Sequence, residues 1–140
     1  MSATYAVPVS CKGIVFEDKQ VWLRLNERGE WELPGGKLGK GEQPEAAVAR
    51  EMLEELGVKV EVKAVIANYL HKVLSSFDEA QGVLVAMYAC EIIERVGKVE
   101  TVGEAGTAEF KQFAVADLGD LPMPVFYKQA IRLASGKKSN

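Results

Sequence analysis

Between Val9 and Phe16 the chain is mostly apolar, and the polar turn Glu17-Asp18-Lys19-Gln20 closes the run. A short apolar stretch bounded by turn residues predicts a mostly buried strand. Val21-Trp22-Leu23-Arg24-Leu25 alternates enough to be its hairpin partner, and Asn26-Glu27-Arg28-Gly29 reads as the next turn. Glu30 to Leu33 is a further short extended stretch running into Pro34-Gly35-Gly36.

Pro44 to Leu56 has the pattern of a helix. Proline suits a first helical position because its missing N–H would have no intrahelical partner. Gly57 suits the stop, since glycine readily takes the left-handed conformation there. Val48, Ala49, Met52, Leu53 and Leu56 form the apolar stripe expected to pack on a sheet. Two β-rich stretches follow, Val58 to Leu74 and Gly82 to Ile93, with the polar segment Ser75 to Glu79 between them. Gly103 to Thr107 reads as a loop, Ala108 to Val115 as a strand, Val125 to Ala134 as a terminal helix and Gly136 to Asn140 as a frayed tail. Strands flanking a central helix, with a second helix at the end, predict an α/β sandwich with a mixed β-sheet.

Composition narrows the function classes. The 140 residues fit a single domain over 1–140, with 48% hydrophobic and 26% charged residues. The net charge of −3 and pI of about 5.3 come from interspersed acids and bases. No basic face is expected, so a nucleic-acid polymer is not the expected partner. No apolar run approaches the roughly 20 residues that span a bilayer. Met1 to Tyr5 lacks the basic and apolar regions of a secretory signal, which points to a cytoplasmic protein away from membranes. Cys11 and Cys90 are read as buried, reduced thiols.

The chemistry concentrates in Arg50-Glu51-Met52-Leu53-Glu54-Glu55-Leu56-Gly57. At about 100° per residue, Glu51, Glu54 and Glu55 fan across one helix face. Like charges at these spacings repel by a few tenths of a kcal/mol per pair. Glu54 and Glu55 also occupy the last turn, where the helix dipole disfavours anions by about 0.3–1 kcal/mol each. Local rules broken together tend to mark a functional site. A hard divalent cation would resolve the conflict, because magnesium takes carboxylate, water and phosphate oxygens. A solvated acidic face balanced by Arg50 and Lys59 is the plainer alternative.

The residues upstream favour the cation. Gly36-Lys37-Leu38-Gly39-Lys40-Gly41-Glu42, then Gln43 to Ala49, then Arg50 to Val58 resemble a complete Nudix box. Its pattern is Gly, five residues, Glu, seven residues, then Arg-Glu-apolar-any-Glu-Glu-any-Gly-apolar. At roughly 7% per residue type, the seven fixed positions would coincide by chance on the order of once per million such chains. Trp31-Glu32-Leu33-Pro34-Gly35-Gly36 resembles the family's entry to the box, and Glu109 to Phe113 followed by Asp117-Leu118 is similar to a downstream family feature.

The resemblance implies the Nudix α/β/α sandwich and Mg2+-dependent hydrolysis of a diphosphate linkage. The substrate would be a nucleoside diphosphate joined to another group: a nucleoside triphosphate, a nucleotide sugar or ADP-ribose. It implies Glu51, Glu54 and Glu55 as metal ligands, with the carbonyl of Gly35 as a further one, and Mn2+ as a substitute for Mg2+. Arg50 would orient Glu51, and Glu42 would hold the loop–helix junction or assist a second metal through water. For the general base the resemblance leaves two candidates, Glu54 in the box and Glu104 on the Gly103-Glu104-Ala105-Gly106 loop. Arg24, and Lys37 and Lys40 on the box loop, are candidates for contact with substrate phosphates.

Other residues read more simply. His71, the single histidine, has no metal-type partner in sequence and suits a structural role. Trp22 and Trp31 offer rings for a base but also suit the core, and Phe126 and Tyr127 suit the opening of an amphipathic helix. The segment Ser2 to Pro8 could pair with a second subunit in a homodimer. Two other functions fit the same chain: a catalytically silent Nudix-fold module that binds nucleotide, and acids forming only a structural network.

Overall fold

The computed structural model describes residues 4, 6–73, 81–99 and 109–136. The apolar run and its hairpin partner form strands β1 (Val9–Glu17) and β2 (Gln20–Leu25), joined at Asp18 and Lys19. Short strands β3 (Trp31–Glu32) and β4 (Gly35–Lys37) precede helix α1 (Pro44–Leu56). The long strands β5 (Val58–Val73) and β6 (Gln81–Arg95) follow, then β7 (Glu109–Phe113), a 3-10 helix over Val115–Asp120 and helix α2 (Val125–Gly136).

The sheet runs β3-β2-β1-β6-β5, with β4 added on β1 and β7 on β2. Among the described residues only β1 and β6 pair in parallel; the other ladders are antiparallel, so the sheet is mixed as expected. On its other edge β1 changes partner along its length. Ser10 to Lys12 pair with β4, whereas Phe16 and Glu17 pair with β2. Between them the Gly13 N–H donates to the Pro34 carbonyl at 3.0 Å. The sheet therefore forks at β1, and the loop leading to α1 leaves from that fork.

Two apolar clusters cover the two faces. One gathers Cys11, Val15, Ala47, Val48, Met52, Leu56 and Val58 beneath α1. The other joins Ile14, Leu23, Met87, Phe126, Ala130 and Ile131 beneath α2. The alternation of Cys11 and Val15 with Ile14 shows β1 feeding both clusters, which is why its sequence is mostly apolar rather than alternating. Burial of Val48, Met52 and Leu56 contributes about 2 kcal/mol per side chain to holding α1 on the sheet.

Several expectations need correction. In α1 the buried stripe contains Ala47 where Leu53 was expected; Leu53 is 43% exposed and Ala49 only half-buried. The strand expected over Ala108 to Val115 stops at Phe113, and Val115 begins the 3-10 helix that turns the chain toward α2. The segments expected as loops, Ser75 to Glu79 and Gly103 to Thr107, lie outside the described residues. Cys90 is half-buried rather than buried. It sits opposite Val15 while Cys11 sits opposite Ala86, four residues along the ladder, or about 13 Å, too far for a disulfide. Among the described residues no helix is long and apolar enough to cross a membrane.

Candidate active site

The glycines of the acidic segment are dictated by close approach. Gly57 ends α1 with φ +69° and donates its N–H to Leu53 and Met52 carbonyls, and a Cβ there would lie 2.6 Å from the Gly97 carbonyl. At Gly36 a Cβ would run into the carboxylate of Glu51. Strand β4 thus lies directly on the acidic face of α1, and only a bare backbone fits between them.

Arg50 organises the outer part of that face. It clasps Glu42 and also reaches Glu51 at 3.3 Å and Glu54 at 3.2 Å through Nη1. Glu42 in turn accepts the Gly39 N–H at 3.0 Å, which closes the loop onto the helix start. The hydrogen bonds from Arg50 and Gly39 hold the Glu42 carboxyl below the usual carboxylate range. The hydrogen bond to Glu42, with the charges of Glu51 and Glu54, raises the Arg50 guanidinium in turn, so its charge is permanent.

Glu55 occupies the inner part. Its Oε1 accepts the N–H of Gly35 at 3.0 Å. Burial, then the neighbouring charge of Glu51, push its carboxyl up to about 8. Two carboxylates this close share either a proton or a cation. Glu51 is largely covered and Glu54 mostly open to solvent, with side chains 14% and 58% exposed. Among the described residues no three acids form a ready-made cation cage, since Glu54 is drawn toward Arg50.

The fork of the sheet carries a second polar cluster that the sequence did not reveal. Glu32 on β3 accepts Arg24 Nη1 at 2.9 Å and Asn26 Nδ2 at 3.2 Å, and the Lys12 ammonium lies 3.7 Å away. Burial works to raise the Glu32 carboxyl, but Lys12, Asn26 and Arg24 outweigh it and hold it low. Lys12 is only 6% exposed. Its signal was a lone charge in the apolar run of β1, because a buried charge requires a partner.

The sequence-derived candidates therefore divide. Gly35, Arg50, Glu51, Glu54 and Glu55 come together at the β4–α1 contact. Arg24 lies on β2 already paired with Glu32, and Lys37 is exposed on β4. Glu104 lies outside the described residues. His71 and Tyr69 belong to an aromatic group with Phe126, which Tyr69 stacks at 4.3 Å, apart from the acids. Trp22 donates to Glu17 at 2.9 Å and Trp31 packs edge-on to Phe113, so both rings are engaged in the fold. A cavity of about 380 Å³ opens at Phe16, Lys19, Val115, Ala134 and Ser135, toward the other end of β1 from this site.

Comparison with known proteins agrees with this architecture. The family model described as NUDIX domain matches residues 8–134. A MutT-like protein of Streptomyces ambofaciens is 33% identical over 102 residues, which cover 71% of this chain and 60% of that protein. An 8-oxo-dGTP diphosphatase of Proteus vulgaris is 33% identical over 75 residues, 54% of this chain and 67% of that protein. The solved structure of a MutT NUDIX hydrolase from Burkholderia pseudomallei matches with a TM-score of 0.71 and 26% identity, over 91% of this chain and 98% of that one.

Proposed function

The chain belongs to the NUDIX domain family, and on that premise we propose that it hydrolyses the diphosphate linkage of a small nucleotide-like substrate with a divalent cation, Mg2+ or in its place Mn2+. The observation that carries this reading is the contact between Glu51 and Glu55 beneath β4, with Glu55 pushed up to about 8. A pair of half-buried carboxylates held at this cost makes sense if a hard cation relieves it. The chemistry of the donor set suits such a cation: with Glu54 turned from Arg50, the carboxylates of Glu51, Glu54 and Glu55 and the Gly35 carbonyl would hold it. When bound, the metal would neutralise the diphosphate and lower the pKa of a water bound to it.

The chain's own residues supply the rest. Arg50, anchored by Glu42, keeps Glu51 and Glu54 aligned on the helix face. Glu54, the most open of the three, takes a proton from the attacking water as general base. Glu104 is the alternative base if Glu54 serves only the metal. Arg24 and Lys37 hold the phosphates of the substrate. Substrates joined through a nucleoside diphosphate, such as a nucleoside triphosphate, a nucleotide sugar or ADP-ribose, fit this reading. The 8-oxo-dGTP named for the Proteus vulgaris relative falls within the same class.

The test is a panel of these compounds and dinucleoside polyphosphates, incubated with Mg2+ or with chelator and resolved by chromatography. Cleavage at a diphosphate that requires the cation and is lost in Glu54→Gln and Glu55→Gln is the expected result. Tight nucleotide binding without product would overturn it in favour of a silent binding module.

A further inference from the structure

Lys12 and Glu55 flank the same residue. Lys12 is the cross-strand partner of Gly35 on β4, and its Cδ would lie 3.0 Å from a Cβ at that position. Gly35 donates its N–H to Glu55 from the helix side. The ammonium of Lys12 is in ion-pair range of Glu32, and Glu32 binds Arg24 through the same Oε2. The result is a line of charged groups, Arg24, Glu32, Lys12, the Glu55–Glu51 pair and Arg50, running from β2 across the fork to α1. Lys12 is its buried cationic centre.

Resting on the metal-dependent reading above, we propose that Lys12 is the internal counter-charge of the acidic helix. It is a positioning residue that offsets the Glu51–Glu55 repulsion in the metal-free protein and opposes the cation once that binds. A fixed positive charge across Gly35 from Glu55 stabilises the carboxylates without occupying them. It also repels an incoming divalent ion, so metal-free stability is gained at the expense of metal affinity. Glu32 tempers the effect by drawing the ammonium toward itself.

The two partners of the pair predict opposite shifts, which separates this role from simple damage to the fold. Mn2+ binding would be measured by calorimetric titration without substrate, together with the melting temperature in chelator. Lys12→Met should bind Mn2+ about tenfold more tightly than wild type and melt lower when metal-free. Lys12→Arg should restore both values toward wild type. Glu32→Gln, which releases the ammonium, should weaken Mn2+ binding. Glu51→Gln reports whether Mn2+ binds at the helix at all. If wild type binds no Mn2+, or Glu51→Gln leaves binding unchanged, the metal-dependent reading fails and the proposal with it. If wild type binds at the helix while folded Lys12→Met binds equally or more weakly, only the role of Lys12 is overturned. Should Lys12→Met not fold, unchanged or tighter binding in Glu32→Gln overturns the proposal instead.

Discussion

Arg50 grips Glu42 through two parallel hydrogen bonds, Nε to Oε2 at 2.8 Å and Nη2 to Oε1 at 3.0 Å. The fork geometry leaves Nη1 free to reach Glu51 and Glu54 at the same time. A lysine offers one point charge and cannot hold three carboxylates in that arrangement. Arg50→Lys is therefore expected to lose about 10- to 100-fold in kcat, with a smaller change in KM, as residues that orient metal ligands typically do. Steady-state kinetics on the substrate found in the panel would check this, and wild-type kcat would contradict it.

Glu55 sets stability against function. In the metal-free protein it is a half-buried acid beside Glu51, and removing its charge relieves that conflict while an amide oxygen can still accept the Gly35 N–H. Glu55→Gln is expected to raise the melting temperature in chelator by about 2–5 °C at pH 8, where much of the wild-type group is ionised. The same variant should lose cleavage. A lower melting temperature in chelator would show that the carboxylate itself stabilises the fold.

The sequence was most legible where local rules coincide. Pro44 and Gly57 bracket α1 at the residues expected, because both act through their own backbone preferences. Periodicity alone did not decide which residues α1 buries. Within α1, Ala47 is buried and Leu53 exposed because the sheet approaches from a direction only the tertiary fold determines. The parallel pairing of β1 with β6 joins residues more than 70 apart in the chain, for which no local pattern exists. The acids of α1 were readable from spacing and resemblance. Glu32 and Lys12 were not, since their pairing arises only when β3 and β1 meet at the fork.

Gly57 carries two constraints at once. Its φ of +69° disfavours any side chain, and the Gly97 carbonyl approaches where a Cβ would stand. Its own carbonyl accepts the N–H groups of Val96 and Gly97 at 2.8 and 3.0 Å, tying the end of β6 to the end of α1. Gly57→Ala should cost about 2–4 kcal/mol, combining backbone strain with a displaced contact. Urea unfolding would show a lower midpoint with an unchanged slope. A midpoint within error of wild type would mean that the strand end moves freely.

Glu17 and Arg95 fasten the far end of the sheet. Arg95 Nη2 lies 2.6 Å from Glu17 Oε1 and Nε 3.0 Å from Oε2, while Nη1 donates to the Leu56 carbonyl at 2.9 Å. The hydrogen bonds from Arg95 hold the Glu17 carboxyl below its usual value against the opposing effect of burial, with a further contribution from Trp22. A carboxyl that is more acidic in the folded state binds fewer protons there than in the unfolded chain. Its stabilisation is thus complete above the unfolded value of about 4.3 and is lost as pH falls through the lower folded value. Both groups are partly exposed, so solvent screening limits the effect to about 0.5–1 kcal/mol at pH 7. Glu17→Gln should therefore melt below wild type at pH 7, and the two curves should converge as pH falls toward 3. Thermal unfolding across that range in chelator measures it, and a gap that persists undiminished at pH 3 would show that the pair acts by packing rather than by charge.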